Sequence, residues 1–394
     1  MNQNENIFSL EKKLFHQTYN RIPLEISHGE GVHLFAKNGE RYLDFFSGLA
    51  VNALGYANPR INDAIIKQLD KFSHLSNSYI SDIQVEVAEL LLKYSGLNKI
   101  FFTNSGTEAV EGVLKLLRNY YGPDKNILAL SDSFHGRTYG SLSLTGREKY
   151  RQPFLPLLNG IQFIRFNNIK ELEKSIDENT AAVFLELIQG EGGVNVVSNE
   201  FAESLIELRL KYDFAIVVDE IQSGIGRTGK GFAFEHYNFK PDILVVAKAI
   251  GGGLPLGAFL TSEKFSNVLS PGEHGTTFGG NPVACAAGKI VLQEVFENGL
   301  VDNVQSNGEY FFKELNVLKK KIDSIIQDVR GLGYFIGIEV QGDGNSFVEK
   351  FRNRRVLINC TNKNVLRILP PLIAKKENID YFLFNFYEIL KEVK

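Results

Sequence analysis

Apolar runs of strand length recur through the middle of the chain, at 126–130, 161–164, 181–187, 215–219, 243–247 and 256–260, with helical periodicity between most of them. Runs without polar alternation predict strands buried on both faces, and their alternation with helices predicts a mostly parallel, doubly wound sheet. A further strand is expected at 99–103, followed by a helix that opens near 105 and runs to about Tyr120. Ahead of the sheet, residues 31–37 and 40–45 flank Asn38-Gly39, a hairpin signal. A glycine-punctuated link at 46–59 then leads into helices at about 60–72 and 81–95. From about 281 the pattern changes to a long helix, a helix at 301–321, strands near 325–329 and 334–340, a short helix, strands near 355–359 and 365–369, and a terminal helix. The expected organisation is an N-terminal segment and hairpin over 1–50, a large α/β domain over 51–290 and an α+β domain over 291–394.

Composition narrows the function. With 44% hydrophobic and 23% charged residues among 394, the chain has the make-up of a folded globular protein. A formal charge of −3 and the lack of a sustained basic run argue against nucleic acid or an anionic membrane as partner. Cys285 and Cys360 are far apart, the seven histidines show no ligand spacing, and so neither a disulfide framework nor a metal site is expected. Residues 1–13 are polar, no 18-residue apolar run occurs, and a cytoplasmic location is expected.

The chemistry starts from Lys248, placed at the end of the run 243–247 and before three glycines. A lysine withdrawn from water loses stabilisation of its charged form and becomes a nucleophile, although a lone lysine after a strand also snorkels to solvent. Asp219 ends the preceding run, 29 residues earlier, so the two side chains can open into one crevice at the carboxyl ends of neighbouring strands. Pyridoxal phosphate needs this pair, a lysine for its aldehyde and an anion for its pyridinium nitrogen. Asp219 alone would equally serve as a helix cap. Asn104-Ser105-Gly106-Thr107-Glu108 reads either as a phosphate-binding helix N-terminus or as an ordinary capped helix. Phe134 and Arg137 can stack on a flat ring and hold a carboxylate. Glu186 and Glu191 form a carboxylate pair without a sugar platform, which disfavours glycosidase chemistry. Residues 224–229 match G-x-G-x-x-G, but four residues separate them from the strand and no crossover helix follows, so they read as a flexible loop.

Together these stretches resemble the class III aminotransferases, subgroup acetylornithine and ornithine aminotransferases, of pyridoxal-phosphate fold type I. The resemblance is carried by Ser-Gly-Thr-Glu-Ala at 105–109, Phe-His-Gly-Arg-Thr at 134–138, Gln-Gly-Glu at 189–191, Asp-Glu-Ile-Gln-Ser-Gly at 219–224, Lys248, and residues 272–282. It implies a large domain with a doubly wound sheet plus a smaller α+β domain built from both chain ends. It implies that Lys248 binds the cofactor covalently and carries protons, that Asp219 pairs with the ring nitrogen, and that Gln222 bonds the ring hydroxyl oxygen. Phe134 would stack on the ring, with Ser105, Gly106 and Thr107 at the phosphate. Thr277 would reach the phosphate of a second copy, making a homodimer with shared sites. Arg137 would take the donor's α-carboxylate, Arg367 a carboxylate of 2-oxoglutarate, and Glu191 would gate Arg367; Thr276 would also meet substrate.

Gly48, where free-ornithine enzymes typically carry a tyrosine, leaves space for an acyl group, so the implied reaction moves the terminal amino group of N2-acetylornithine to 2-oxoglutarate. Leu187, Val110 and Tyr56-Ala57-Asn58 depart from the family pattern and leave room for ornithine, succinylornithine, acetyl-lysine or a diamine as donor. An aminomutase of the glutamate-semialdehyde type and a non-catalytic binding protein of the same fold are the rival readings. Arg137 with Arg367 favours transamination over the first, and retention of Lys248, Asp219 and Gln222 speaks against the second.

Overall fold

The computed structural model describes residues 6–393. The extreme ends of the segments 1–50 and 291–394, and the first five residues of the polar stretch 1–13, lie outside the described residues. The N-terminal ribbon has three antiparallel strands, β1 (Ile26–Glu30), β2 (His33–Ala36) and β3 (Arg41–Asp44). The Asn38-Gly39 turn joins β2 to β3 as expected. β1 was not anticipated: Ser27, His28, Gly29 and Glu30 carry no apolar alternation, and its residues are mostly exposed.

Helices α1 (Pro59–Leu69) and α2 (Asp82–Ser95) follow, α1 being capped by the Asn58 side chain, which accepts from the Arg60 and Ile61 amides. The central sheet is then laid down by β4 (Lys99–Thr103), helix α3 (Gly106–Tyr121), β5 (Asn126–Leu130), β6 (Ile161–Ile164), β7 (Thr180–Leu185), helix α4 (Asn199–Tyr212), β8 (Ala215–Asp219), β9 (Ile243–Val246) and β10 (Gly257–Thr261). The seven strands lie in the order β4-β10-β9-β8-β7-β5-β6. Only β10 runs antiparallel to its neighbours β9 and β4. Alternate residues of these strands join two cores. Leu128, Val183, Val218 and Leu244 pack with Leu91 of α2 and Phe201 of α4, whereas Ala129, Phe184, Val217 and Val245 pack with Val110 and Val113 of α3. Burial of both faces is what the uninterrupted apolar runs require.

Helix α5 (Pro282–Phe296) packs on α1 and α2. After it come α6 (Leu300–Lys321), β11 (Ile326–Leu332), β12 (Phe335–Val340), α7 (Gly344–Asn353), β13 (Val356–Leu357), β14 (Asn359–Thr361), β15 (Val365–Ile368) and α8 (Lys376–Val393). An antiparallel sheet forms in the order β11-β12-β15-β14, while β13 leaves it to pair in parallel with β3. The two ends of the chain are thereby stitched into one α+β layer beside the large sheet. No described helix is long and apolar enough to cross a membrane.

The stretch 224–229 departs from the expected flexible loop. Its residues are buried, and the Arg227 guanidinium, 2% exposed, donates to the carbonyls of Tyr334 and Pro370. The carboxylate of Glu220, also buried, accepts from the amides of Ala233 and Phe234 at 2.6 and 2.8 Å. Gly226 lets this loop pack against Val295 and Leu372, and Gly229 against Gln305 of α6, so the glycines here allow close packing rather than mobility.

Candidate active site

The carboxyl ends of β5, β7, β8 and β9 open into a cavity of about 480 Å³. Lys248 reaches it from a short 3-10 turn, Lys248–Gly251, that begins right after β9. Its backbone φ is 51°, in the left-handed region that costs an L-residue roughly 1–2 kcal/mol. A non-glycine residue held there by its surroundings is a common mark of a functional position. Burial first, and then the charge of Arg367, lowers the Lys248 pKa to about 8, against the opposing pull of Asp219, Glu191 and Glu186.

Asp219 ends β8, one strand away, and is buried at 3% exposure. It caps no helix: one oxygen accepts from the Ile221 amide at 3.0 Å and the other lies 2.7 Å from His135 Nδ1. His135 is itself buried, edge-on against Phe184, and its Nε2 has no partner. Behind them Glu186 accepts from the amides of Phe134 and Gly190, and burial raises its pKa to about 7. His135 went unread among the site residues. Its only signal was its place between Phe134 and Gly136-Arg137, a local pattern that gives no hint of the long-range contact with Asp219.

The opposite wall is the N-terminus of α3. Ser105 does cap this helix, its Oγ accepting from the Glu108 amide at 3.4 Å, while Glu108 accepts from the Asn104 amide at 2.9 Å. That capped end still lines the cavity through Ser105, Gly106 and Thr107, so the two sequence readings coexist. A Cβ on Gly106 would stand 2.4 Å from the Ile221 side chain, so only glycine permits this approach of helix to loop. Thr107 Oγ1 is held by the hydroxyls of Thr138 and Ser141 and accepts from the Thr138 amide.

A second charged centre adjoins the first. Arg367 on β15, 1% exposed, donates to Glu191 Oε1 at 2.8 Å, to Gln222 Oε1 at 3.1 Å and through Nε to Asn359 Oδ1 at 3.1 Å. Burial alone would raise the Glu191 pKa, but the charges of Arg367, Lys248 and Arg147 outweigh it and hold the carboxyl below its ordinary range. Arg147, unremarked in the sequence, steadies this loop by donating to the Glu191 carbonyl at 2.6 Å.

Of the residues singled out, Ser105, Gly106, Thr107, Phe134, Arg137, Glu191, Asp219, Gln222 and Lys248 line one cavity. Arg137 is exposed at its rim, over the Tyr150 ring at 3.9 Å from the centroid. Arg367 meets the site through Glu191 and Gln222. Gly48, Thr276 and Thr277 are not in the wall; Gly48 stands three residues before Val51, which is, and Thr276 Oγ1 accepts from the side chain of Asn104 at 3.2 Å. Thr277 is exposed. Leu187 and Val110 are buried core residues, so those departures from the family pattern leave the cavity wall intact. No described group of His, Cys, Asp or Glu is arranged to hold a metal ion.

A buried amine of lowered pKa, facing a carboxylate across a cavity closed by a helix N-terminus, suits a flat aldehyde cofactor that bears a phosphate. Comparison with known proteins narrows that class. The model of the aminotransferase class-III family matches residues 14–390, and the chain belongs to this family. It is accordingly a pyridoxal-phosphate-dependent transaminase. The chain is 42% identical to an acetylornithine aminotransferase of Caldanaerobacter subterraneus subsp. tengcongensis over 98% of its own length and 100% of the relative's. It is 44% identical to one from Aquifex aeolicus, covering 94% and 98%. Among solved structures, the ornithine aminotransferase of Toxoplasma gondii superposes with a TM-score of 0.93 at 29% identity, covering 98% of this chain and 95% of that one. The acetylornithine aminotransferase of Elizabethkingia anophelis gives 0.88 at 30% identity, covering 98% of each chain.

Proposed function

We propose that the chain transfers the terminal amino group of N2-acetylornithine to 2-oxoglutarate, giving N-acetylglutamate 5-semialdehyde and glutamate. The observation that carries this reading is the Arg367–Glu191 ion pair at the cavity edge. One reaction must accept a donor with no charge near its reacting carbon and an acceptor with a carboxylate there. A buried arginine whose countercharge sits on a partly exposed loop meets both demands. Glu191 neutralises Arg367 while the ω-amine reacts, and yields the guanidinium to the α-carboxylate of 2-oxoglutarate afterwards. The names carried by the relatives point to the same donor.

Bound pyridoxal phosphate supplies an aldehyde that takes up the amino group and a ring that stores the electrons released at the donor carbon. The chain does the rest. Lys248 Nζ would hold the aldehyde of the bound cofactor and would carry the proton away from the donor carbon. Asp219 keeps a proton on the ring nitrogen, with His135 fixing the carboxylate from behind. Gln222 bonds the ring hydroxyl oxygen and Phe134 covers one ring face. Ser105, Gly106 and Thr107 hold the phosphate, joined by the partner subunit's Thr277, so the working unit is a homodimer. Arg137 takes the donor's distal carboxylate, Thr276 contacts substrate, and Gly48 leaves space for the acyl group. Segments 1–50 and 291–394 act as one smaller domain over the site in 51–290, and the enzyme works in the cytoplasm.

The test is a half-reaction. Holoenzyme is mixed with N2-acetylornithine, succinylornithine or ornithine in the absence of acceptor, and the absorbance of the bound cofactor is followed. Conversion with the acylated donors and not with ornithine is expected. Conversion with ornithine alone would overturn the donor assignment.

A further inference from the structure

Ser47, Gly48, Leu49 and Ala50 have φ values of 43°, 61°, 64° and 66°. Four successive residues in the left-handed region, three of them not glycine, do not persist without an external brace. The brace is Asp44, a carboxylate 1% exposed at the end of β3. Its Oδ1 accepts from the amides of Phe46 and Ser47 at 2.9 and 3.1 Å, which fixes the entry to the turn. Its Oδ2 accepts from the Tyr56 hydroxyl at 2.5 Å. Ser47 Oγ adds a bond to the Leu369 carbonyl at 2.7 Å, two residues past Arg367. The turn leads into Val51, part of the cavity wall.

The backbone makes a seat for Tyr56. A Cβ on Gly29 would come within 2.5 Å of the tyrosine ring, so the glycine in β1 is what admits it. Backbone bonds between Gly31 and Tyr56, at 3.0 and 2.8 Å, hold the ring over that gap. Burial pushes the Tyr56 pKa upward, which keeps its hydroxyl protonated and the donor to Asp44. A fully satisfied buried network of this kind fixes one geometry and loses it when one member is removed.

We infer that Tyr56 is a positioning residue for donor selectivity: through Asp44 it holds the left-handed turn 47–50 that sets the space beside Gly48 and Val51. This rests on the donor site proposed above. Tyr56 is not itself part of the cavity wall; it acts through Asp44 and through Asn52, which its side chain also meets and which lies beside Gly48 and the wall residue Gly253.

Tyr56→Phe deletes one hydroxyl and keeps the ring in its seat. Steady-state kinetics of the holoenzyme should show KM for N2-acetylornithine raised about tenfold, equivalent to about 1.4 kcal/mol, with KM for 2-oxoglutarate and the bound-cofactor spectrum near wild type. Gly29→Ala, which displaces the ring without touching either hydrogen-bonding group, should shift the same ratio. Asp44→Asn combined with Tyr56→Phe should add less than the sum of the two single effects. An unchanged ratio of donor to acceptor KM in Tyr56→Phe, whether through no effect or through equal losses, would overturn the inference. If the wild type takes no acylated donor, the donor assignment has failed instead, and the same ratio is then read with the amine that it does take.

Discussion

Two buried arginines meet at one segment, Arg367 three residues before Pro370 and Arg227 through the Pro370 carbonyl, and they serve opposite ends. Arg367, 1% exposed, is paired with a carboxylate, Glu191, that is itself 25% exposed. Arg227, 2% exposed, has only the main-chain carbonyls of Tyr334 and Pro370, and its Nη2 has no partner. A carboxylate on a loop can be replaced by another carboxylate, whereas two carbonyls fixed by the fold cannot leave. On the function proposed, the first cation is a binding site with a stand-in ligand, while the second is a strut that ties the loop after Asp219 to the segment after Arg367. What separates a site from a scaffold here is whether the partner can be exchanged, not the depth of the cation.

Removing Lys248, on which both half-reactions of the proposed mechanism depend, should produce the largest effect. Lys248→Ala is expected to lower transamination by about a thousandfold or more, since it deletes both a covalent attachment and a proton carrier. Stopped-flow measurement of either half-reaction would show it, and residual turnover within tenfold of wild type would contradict the role.

The two arginines should then part company. Arg367→Met is expected to reduce kcat/KM for 2-oxoglutarate by about 100- to 1,000-fold, as truncation of one member of a buried charge pair does. Arg227→Met should instead lower unfolding free energy by about 1–3 kcal/mol per orphaned carbonyl, partly offset by relief of a buried charge, while the folded fraction keeps its preference between substrates. Denaturant titration beside steady-state kinetics separates the outcomes. Altered substrate preference in Arg227→Met would erase the distinction.

A smaller effect concerns the amine that faces Arg367. With the Lys248 pKa near 8, the neutral form falls about tenfold for each unit below that value. The rate at which apoprotein takes up pyridoxal phosphate should rise with pH up to about 8 and level off above it. A profile that keeps rising to pH 10 would mean that the cavity does not lower the lysine pKa.

Much of this was legible in the sequence because it is written in local pattern. The strands that carry Asp219 and Lys248 are continuous apolar runs, and the lysine that breaks out of such a run is visible without a structure. The ion pair of Glu191 with Arg367 spans 176 positions and came only through family resemblance. His135 shows why the rest was hidden: nothing within its neighbourhood states that it will meet a carboxylate 84 residues away. The glycines at 224–229 pointed to mobility, since glycine looks the same whether it frees a chain or lets two backbones pack closely. Strand β1 is held by pairing with β2 rather than by its own pattern, and the left-handed turn 47–50 is tied down in part by the Ser47 bond to the Leu369 carbonyl 322 residues away, which no propensity encodes.

The exchangeable partner is the centre of the account, and Glu191→Ala tests it directly. Single-turnover kinetics of the bound cofactor would be followed with N2-acetylornithine and, separately, with glutamate. An uncovered Arg367 should slow the reaction of the ω-amine donor about tenfold more than that of glutamate, whose own carboxylate replaces the missing one. Equal losses with the two donors would contradict the exchange, and would make Glu191 a fixed support like the carbonyls around Arg227.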